Sequence, residues 1–245
     1  MKRTILSVYT ITAFMLFSCN NSEKKQDCPQ ILPIPTPLRE RVLTAEEQAA
    51  LTPDAVIKSL KDGNQRFATN NVTARDHSAM VRNAVKGQFP KAVILSCLDS
   101  RIPVEDVFDK GIGDLFVGRV AGNFANIDLL GSMEFGCKIM KAKLILVLGH
   151  ESCGAITYTI KGAKLGNITA MLENIKPAVT ASQDFDGDKT AANPKYVEYV
   201  AKNNVINTIK TIRAKSPILK GMEDSGQIKI IGAYYNMQTG VVTFL

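Results

Sequence analysis

The chain has 245 residues, with 30 Lys and Arg against 23 Asp and Glu for a net charge of +7. That length is enough for one sizeable buried core and makes a single domain the default. No block of Lys and Arg is interleaved with aromatics, so a nucleic-acid partner is not expected.

Lys2 and Arg3 precede an uncharged, largely apolar run from Thr4 to Ser18, too short to span a bilayer. Residues 1–18 therefore read as a signal peptide. The segment L-F-S-C, Leu16 to Cys19, resembles the cleavage site of bacterial lipoproteins, whose cysteine becomes the lipidated first residue. The expectation is an exported protein whose only membrane contact is a lipid anchor on Cys19, facing the periplasm or the cell surface. Pro29, Pro33, Pro35 and Pro37 make residues 19–44 an extended tether, which leaves 45–245 as a single α/β domain.

Thr52-Pro53 is a helix start, a capping residue followed by proline at the first helical position, and it predicts a helix over Pro53 to Thr69. Continuous apolar runs follow at Ala92–Cys97, Leu115–Val120 and Leu144–Leu148. Runs of this kind are strands buried on both faces, as in parallel sheets. Between them, Leu130, Met133, Cys137 and Met140 recur at helical spacing and predict a helix over Leu129–Met140, and a second long helix is predicted from Pro194 to Ala214. Ile228–Tyr235 and Val241–Leu245 form a closing pair of strands around N-M-Q-T-G. The order predicts an α/β fold: a mostly parallel central sheet of four to five strands flanked by helices.

The chain has five cysteines, too few and too dispersed for a disulfide framework. Cys137 sits on a helical pattern and reads as an inert buried thiol. Cys97 differs because of its neighbours: the first apolar run ends in S-C-L-D-S-R, with Cys97, Asp99 and Arg101. The third ends in G-H-E-S-C-G, which holds His150, one of only two histidines, and Cys153. Carboxyl ends of neighbouring parallel strands share one crevice, where ligands bind. Two thiols, an imidazole and a carboxylate suit tetrahedral zinc. A Cys97–Cys153 disulfide is the alternative, but it leaves Asp99, Arg101 and His150 without a reason to crowd the same strand ends.

The paired motifs C-x-D-x-R and H-x-x-C closely resemble those of the β-class carbonic anhydrases. The likeness extends through N-Q-R-F at Asn64, K-G-Q-F-P-K-A-V-I-L-S-C, D-L-F-V-G-R-V-A-G-N and L-G-S-M-E-F-G, from about Thr52 to the C-terminus. The resemblance implies one zinc per subunit on Cys97, His150 and Cys153, and reversible hydration of carbon dioxide to bicarbonate through a zinc-bound hydroxide. It implies that Asp99 orients that hydroxide, or becomes the fourth ligand in a closed state, and that Arg101 holds Asp99 off the metal. It also makes Gln88 a substrate-orienting amide, and Gly154 is read as the small residue that lets backbone approach the site. A homodimer or homotetramer is implied, with sites near the subunit interface. Two rivals share the same residues: a hydrolase of carbonyl sulfide or carbon disulfide, and a non-catalytic zinc module, which would need neither Asp99 nor Arg101.

Overall fold

The computed structural model describes residue 39 and residues 41–245. The leader, Cys19 and most of the expected tether lie outside the described residues. The chain makes folded contacts from Arg39 onward: its backbone bridges Arg75, and its guanidinium grips Asp114 at 2.8 Å.

Three helices come first, α1 (Ala45–Ala49), α2 (Pro53–Ala68) and α3 (His77–Ala84). Thr52 caps α2 as expected, its hydroxyl accepting from the Ala55 N–H at 3.2 Å. Then β1 (Ala92–Ser96), α4 (Val104–Val107) and β2 (Leu115–Arg119) alternate. Next comes α5 (Ile127–Glu134), which runs into a π-helical turn over Phe135–Ile139 before β3 (Leu144–His150). After β3 come α6 (Gly154–Ile160), α7 (Gly166–Glu173), α8 (Lys176–Thr180), α9 (Pro194–Lys215) and α10 (Pro217–Asp224). A hairpin of β4 (Lys229–Tyr235) and β5 (Val242–Phe244) ends the chain. No helix among the described residues is long and apolar enough to cross a membrane.

The five strands form one sheet in the order β2-β1-β3-β4-β5; the first four run parallel and β5 is antiparallel. Every residue of β1 and β3 is buried, so their apolar runs are explained by helices on both faces. Val93, Leu95, Ile145 and Val147 face a cluster with Val205 and Ile212 of α9, whereas Ile94, Leu146 and Leu148 face Val56 and Leu60 of α2. Cys137, in the π-helical turn, is 1% exposed, and burial pushes its thiol up to about 12, which leaves it inert.

At the amino edge of the sheet, the loop before β2 buries several charges. Asp109 takes Arg66, Arg75 and Thr73, and Asp114 takes Arg39 and Lys91. Lys110, 4% exposed between them, donates to the Ser59 carbonyl at 2.9 Å. Burial first, and Lys91 second, lower its ammonium to about 8. Below that pH the folded and unfolded chains both carry the proton, and the cost of burying it is constant. Above it the folded chain releases the proton while the unfolded chain keeps it to about 10.4, so stability rises with pH across that window. Thermal melts of wild type and Lys110→Met from pH 7 to 10 are therefore expected to diverge above pH 8, with the wild type gaining on the order of 2 kcal/mol relative to the variant. Parallel curves would place the charge in a more polar setting than this packing gives it.

Candidate metal centre

The carboxyl ends of β1, β2 and β3 lie side by side, with Ser96 in register with both Arg119 and Leu148. One residue past β1 is Cys97, the last residue of β3 is His150, and Cys153 caps the amino end of α6. The turn between His150 and Cys153 is tight enough to hold Ser152 at φ +54°. It carries the third donor back over the strand ends: one ligand-type atom each from Cys97, His150 and Cys153 lies within 4.8 Å of the others.

The two sulfurs are 4.0 Å apart, and both cysteines are free. A disulfide needs ~2.05 Å, which disposes of that alternative. Two zinc–sulfur bonds of ~2.3 Å at a tetrahedral angle separate the sulfurs by about 3.8 Å, close to what the fold provides. His150 is 1% exposed, and its Nδ1 lies 2.9 Å from the Glu151 carbonyl. That contact makes Nδ1 the protonated nitrogen and leaves the Nε2 lone pair facing the thiols. Nε2 is buried with no protein partner. An orphaned imidazole nitrogen beside two converging sulfurs fits zinc and has no account without one.

The sulfurs are not equivalent. Cys97 is lowered to about 4, chiefly by the hydrogen bond from Cys153, with help from the N–H of Gly122, which donates to Sγ at 3.3 Å. Cys153 is pushed up by the same pairing and by burial, while the amides of Ile156 and Ala155 favour its thiolate.

Beside them, Asp99 is held by the Arg101 guanidinium through two bonds, 2.9 Å to Oδ1 and 2.6 Å to Oδ2, and by the Arg101 N–H at 3.0 Å. The side-chain bond to Arg101 is the main reason the carboxyl falls to about 2. Asp99 Oδ2 stands 4.0 Å from His150 Nε2, at the mouth of the donor trio. Arg101 also donates to the Ser152 carbonyl at 3.2 Å, and so joins the two motif loops.

The sequence matches the family model for carbonic anhydrase over residues 92–242. Carbonic anhydrase 2 of Mycobacterium tuberculosis is 32% identical over 194 residues, 77% of this chain and 90% of that protein. The chain belongs to the carbonic anhydrase family. A carbonic anhydrase of Mycolicibacterium smegmatis is 31% identical, over 78% of this chain and 92% of its own. Among solved structures, the β-carbonic anhydrase CcaA superposes with a TM-score of 0.62 at 23% identity, covering 77% of this chain and 94% of its own. A tetrameric β-carbonic anhydrase of Sordaria macrospora gives a TM-score of 0.61 at 20% identity, over 78% and 95%. The fold is thus that of the β-carbonic anhydrases.

In this carbonic anhydrase two expected site residues sit differently from the sequence reading. Gln88 is exposed and lies four residues ahead of β1, on the side where Pro90 is tied down by Gln48. A parallel sheet puts that amino edge roughly 16 Å of strand away from Cys97, so within its own chain Gln88 does not join the donors. Gly154 is exposed, and a Cβ there would meet nothing within 4 Å, so no close approach of backbone requires glycine. It borders an apolar hollow of about 550 Å³ lined by Ala121, Ala155, Tyr158, Leu165 and Met171. Gly154→Ala is therefore expected to keep zinc and activity within about twofold, and to raise the melting temperature because alanine loses less backbone entropy in a first helical turn.

Two contributors come from the exit of β2. Arg119 gathers three carbonyls of the first motif loop: Nη1 donates to Cys97 at 3.0 Å and to Asp99 at 3.2 Å, and Nη2 donates to Ile102. Gly122 supplies the N–H to Cys97. Both belong to V-G-R-V-A-G-N, which the family resemblance covers, but neither carries a metal-ligand or acid–base signature.

Proposed function

We propose that this chain is a zinc-dependent β-class carbonic anhydrase that converts carbon dioxide and water reversibly to bicarbonate and a proton. The observation that carries this reading is the pairing of the Cys97–His150–Cys153 trio with a carboxylate clamped at its mouth. Zinc, when bound there, supplies a Lewis acid that makes water a nucleophile near neutral pH. Cys97, His150 and Cys153 would hold it, with His150 kept in the required tautomer by the Glu151 carbonyl. Asp99 accepts a hydrogen bond from the attacking water and aims its oxygen at the carbon of carbon dioxide; its low pKa keeps it an acceptor at every working pH. Arg101 keeps the carboxylate in that pose. Buried Phe124 and half-buried Val120 pack in the same cluster as Cys97 and Cys153, giving an apolar small molecule an apolar approach. A purely structural zinc site has no use for the Asp99–Arg101 pair.

Stopped-flow hydration of carbon dioxide, with zinc measured on the same sample, tests this reading. Stoichiometric zinc without hydration at any pH up to about 9, where a two-thiolate site still acidifies water, overturns it.

The protein also works as a homo-oligomer, a dimer or tetramer. The tetrameric Sordaria relative supports this, as do exposed Ile127, Phe135 and Ile139 along one side of α5 and its π-helical turn. In such an assembly the substrate-orienting amide assigned to Gln88 would have to reach a neighbouring subunit's site. A monomeric mass by sedimentation at micromolar concentration would remove that role. Residues 1–19 direct export and acylation of Cys19, on the strength of Lys2 and Arg3, the short apolar run and L-F-S-C. Labelled palmitate should enter the wild type and not Cys19→Ala.

A further inference from the structure

The structure assigns a positioning role at this centre to Asn204, a residue of α9 far from either motif. It lies on the face of α9 that carries Val200, Ala201, Val205 and Thr208 into the core, and it is 0% exposed. Its Nδ2 donates to the Gly122 carbonyl at 2.7 Å, while its Oδ1 is buried with no partner. An amide half satisfied in an apolar face is a poor way to fill space, since a leucine would leave no orphan carbonyl. The bond to Gly122 is what sets this residue apart from its neighbours.

Gly122 is the third residue of a β-turn closed by the Asn123 N–H on the Val120 carbonyl at 3.0 Å, and it holds φ +87°. That position of a type II turn asks for glycine, and a Cβ would stand 2.3 Å from Ile175 Cδ1. Glycine's freedom leaves the direction of its own N–H poorly determined by the turn alone. Asn204 fixes the peptide on the carboxyl side of this Cα, and the peptide on the amino side sends its N–H to Cys97 Sγ at 3.3 Å. The order of dependence is α9 amide, turn backbone, thiolate. An N–H donated to a thiolate draws charge from it and orients its lone pairs. Asn204 thus sets how strongly and in which direction Cys97 presents itself to a metal, a statement that rests on the zinc reading above.

The test compares Asn204→Leu and the smaller Asn204→Ser, whose hydroxyl falls short of Gly122, with a neighbouring control. Thr208→Val removes a bond to the adjacent Asn123 carbonyl at 3.3 Å but leaves Gly122 held. Zinc affinity is read by competition with a chromophoric chelator, and sulfur coordination by the thiolate-to-metal absorption of the cobalt-substituted protein. Both Asn204 variants are expected to loosen zinc about 10–100-fold and shift the cobalt band, with Thr208→Val matching the wild type. Unchanged affinity and band in either folded Asn204 variant overturn the assignment, as do equal changes in Thr208→Val. A wild type that takes up cobalt without a thiolate band overturns the zinc reading itself, and the role of Asn204 with it.

Discussion

Cys153→Ala is expected to yield a folded protein that purifies without zinc and has lost carbon dioxide hydration on the order of a thousandfold or more. The geometry offers three protein donors within 4.8 Å, so removing one leaves two, too few to hold the ion. The fold should survive. Cys153 stands at the amino end of α6 but makes no capping bond with its side chain, and it is packed among Ile156, Leu172 and Ile175. Its sulfur meets the sulfur of Cys97 and the amides of Ala155 and Ile156, and those amides belong to the first turn of α6, where N–H groups have no partner within the helix in any case, so alanine removes volume at little further polar cost. Cys137→Ala is the matching control, a buried thiol whose only strong influence is burial. It should cost some stability through its cavity and leave both zinc and turnover intact. Metal analysis with stopped-flow hydration on both variants separates a ligand from a core thiol. Stoichiometric zinc in active Cys153→Ala would remove this cysteine from the site.

The parts of this fold visible in the sequence were those whose cause is a long local pattern. Ala92–Ser96 and Leu144–His150 are buried along their whole length because helices cover both faces, whereas Leu115–Arg119 has the same kind of run yet is an edge strand that is half-buried throughout; the long α9 announces itself at Pro194 and stops before Pro217. Short helices such as α3, α7 and α8 span eight residues or fewer and have no room for a repeating apolar face. The expected helix over Leu129–Met140 starts two residues earlier and finishes as a π-helical turn, a change of hydrogen-bond register that side-chain periodicity does not encode. The same division runs through the site. Cys97, His150 and Cys153 were legible because their side chains carry metal chemistry and because parallel strands bring carboxyl ends together. Arg119, Gly122 and Asn204 were not, because they act on backbone carbonyls or through one backbone N–H, and such groups belong to every residue and leave no side-chain signature of a metal site. Gln88 shows the limit of resemblance: a matching residue type identifies a role, while only the topology shows that a single chain keeps it on the wrong edge of the sheet.

Arg101→Ala is expected to retain zinc and still lose about a hundredfold or more in kcat/KM. Arg101 makes three of the contacts that define Asp99, two from its guanidinium and one from its backbone, and alanine removes the two that aim the carboxylate. Loss of charge on Asp99 does not explain such a defect. Arg101 is the chief reason the carboxyl titrates at about 2, and without it the group returns toward its usual ~3.9 but stays ionised at pH 7. What changes is position. With Oδ2 already 4.0 Å from His150 Nε2, a released carboxylate would be free to turn toward the donor trio itself, and there it could no longer orient the attacking water. The same substitution frees the Ser152 carbonyl, and with it the tight turn that carries Cys153. Arg101→Lys keeps the charge but not the planar fork and should fall between wild type and alanine. Full zinc occupancy with depressed turnover from pH 6 to 9 is the expected signature. Turnover within twofold of wild type across that range would show that Asp99 is held by something other than Arg101, and loss of zinc would make Arg101 a support for the ligands rather than for the carboxylate.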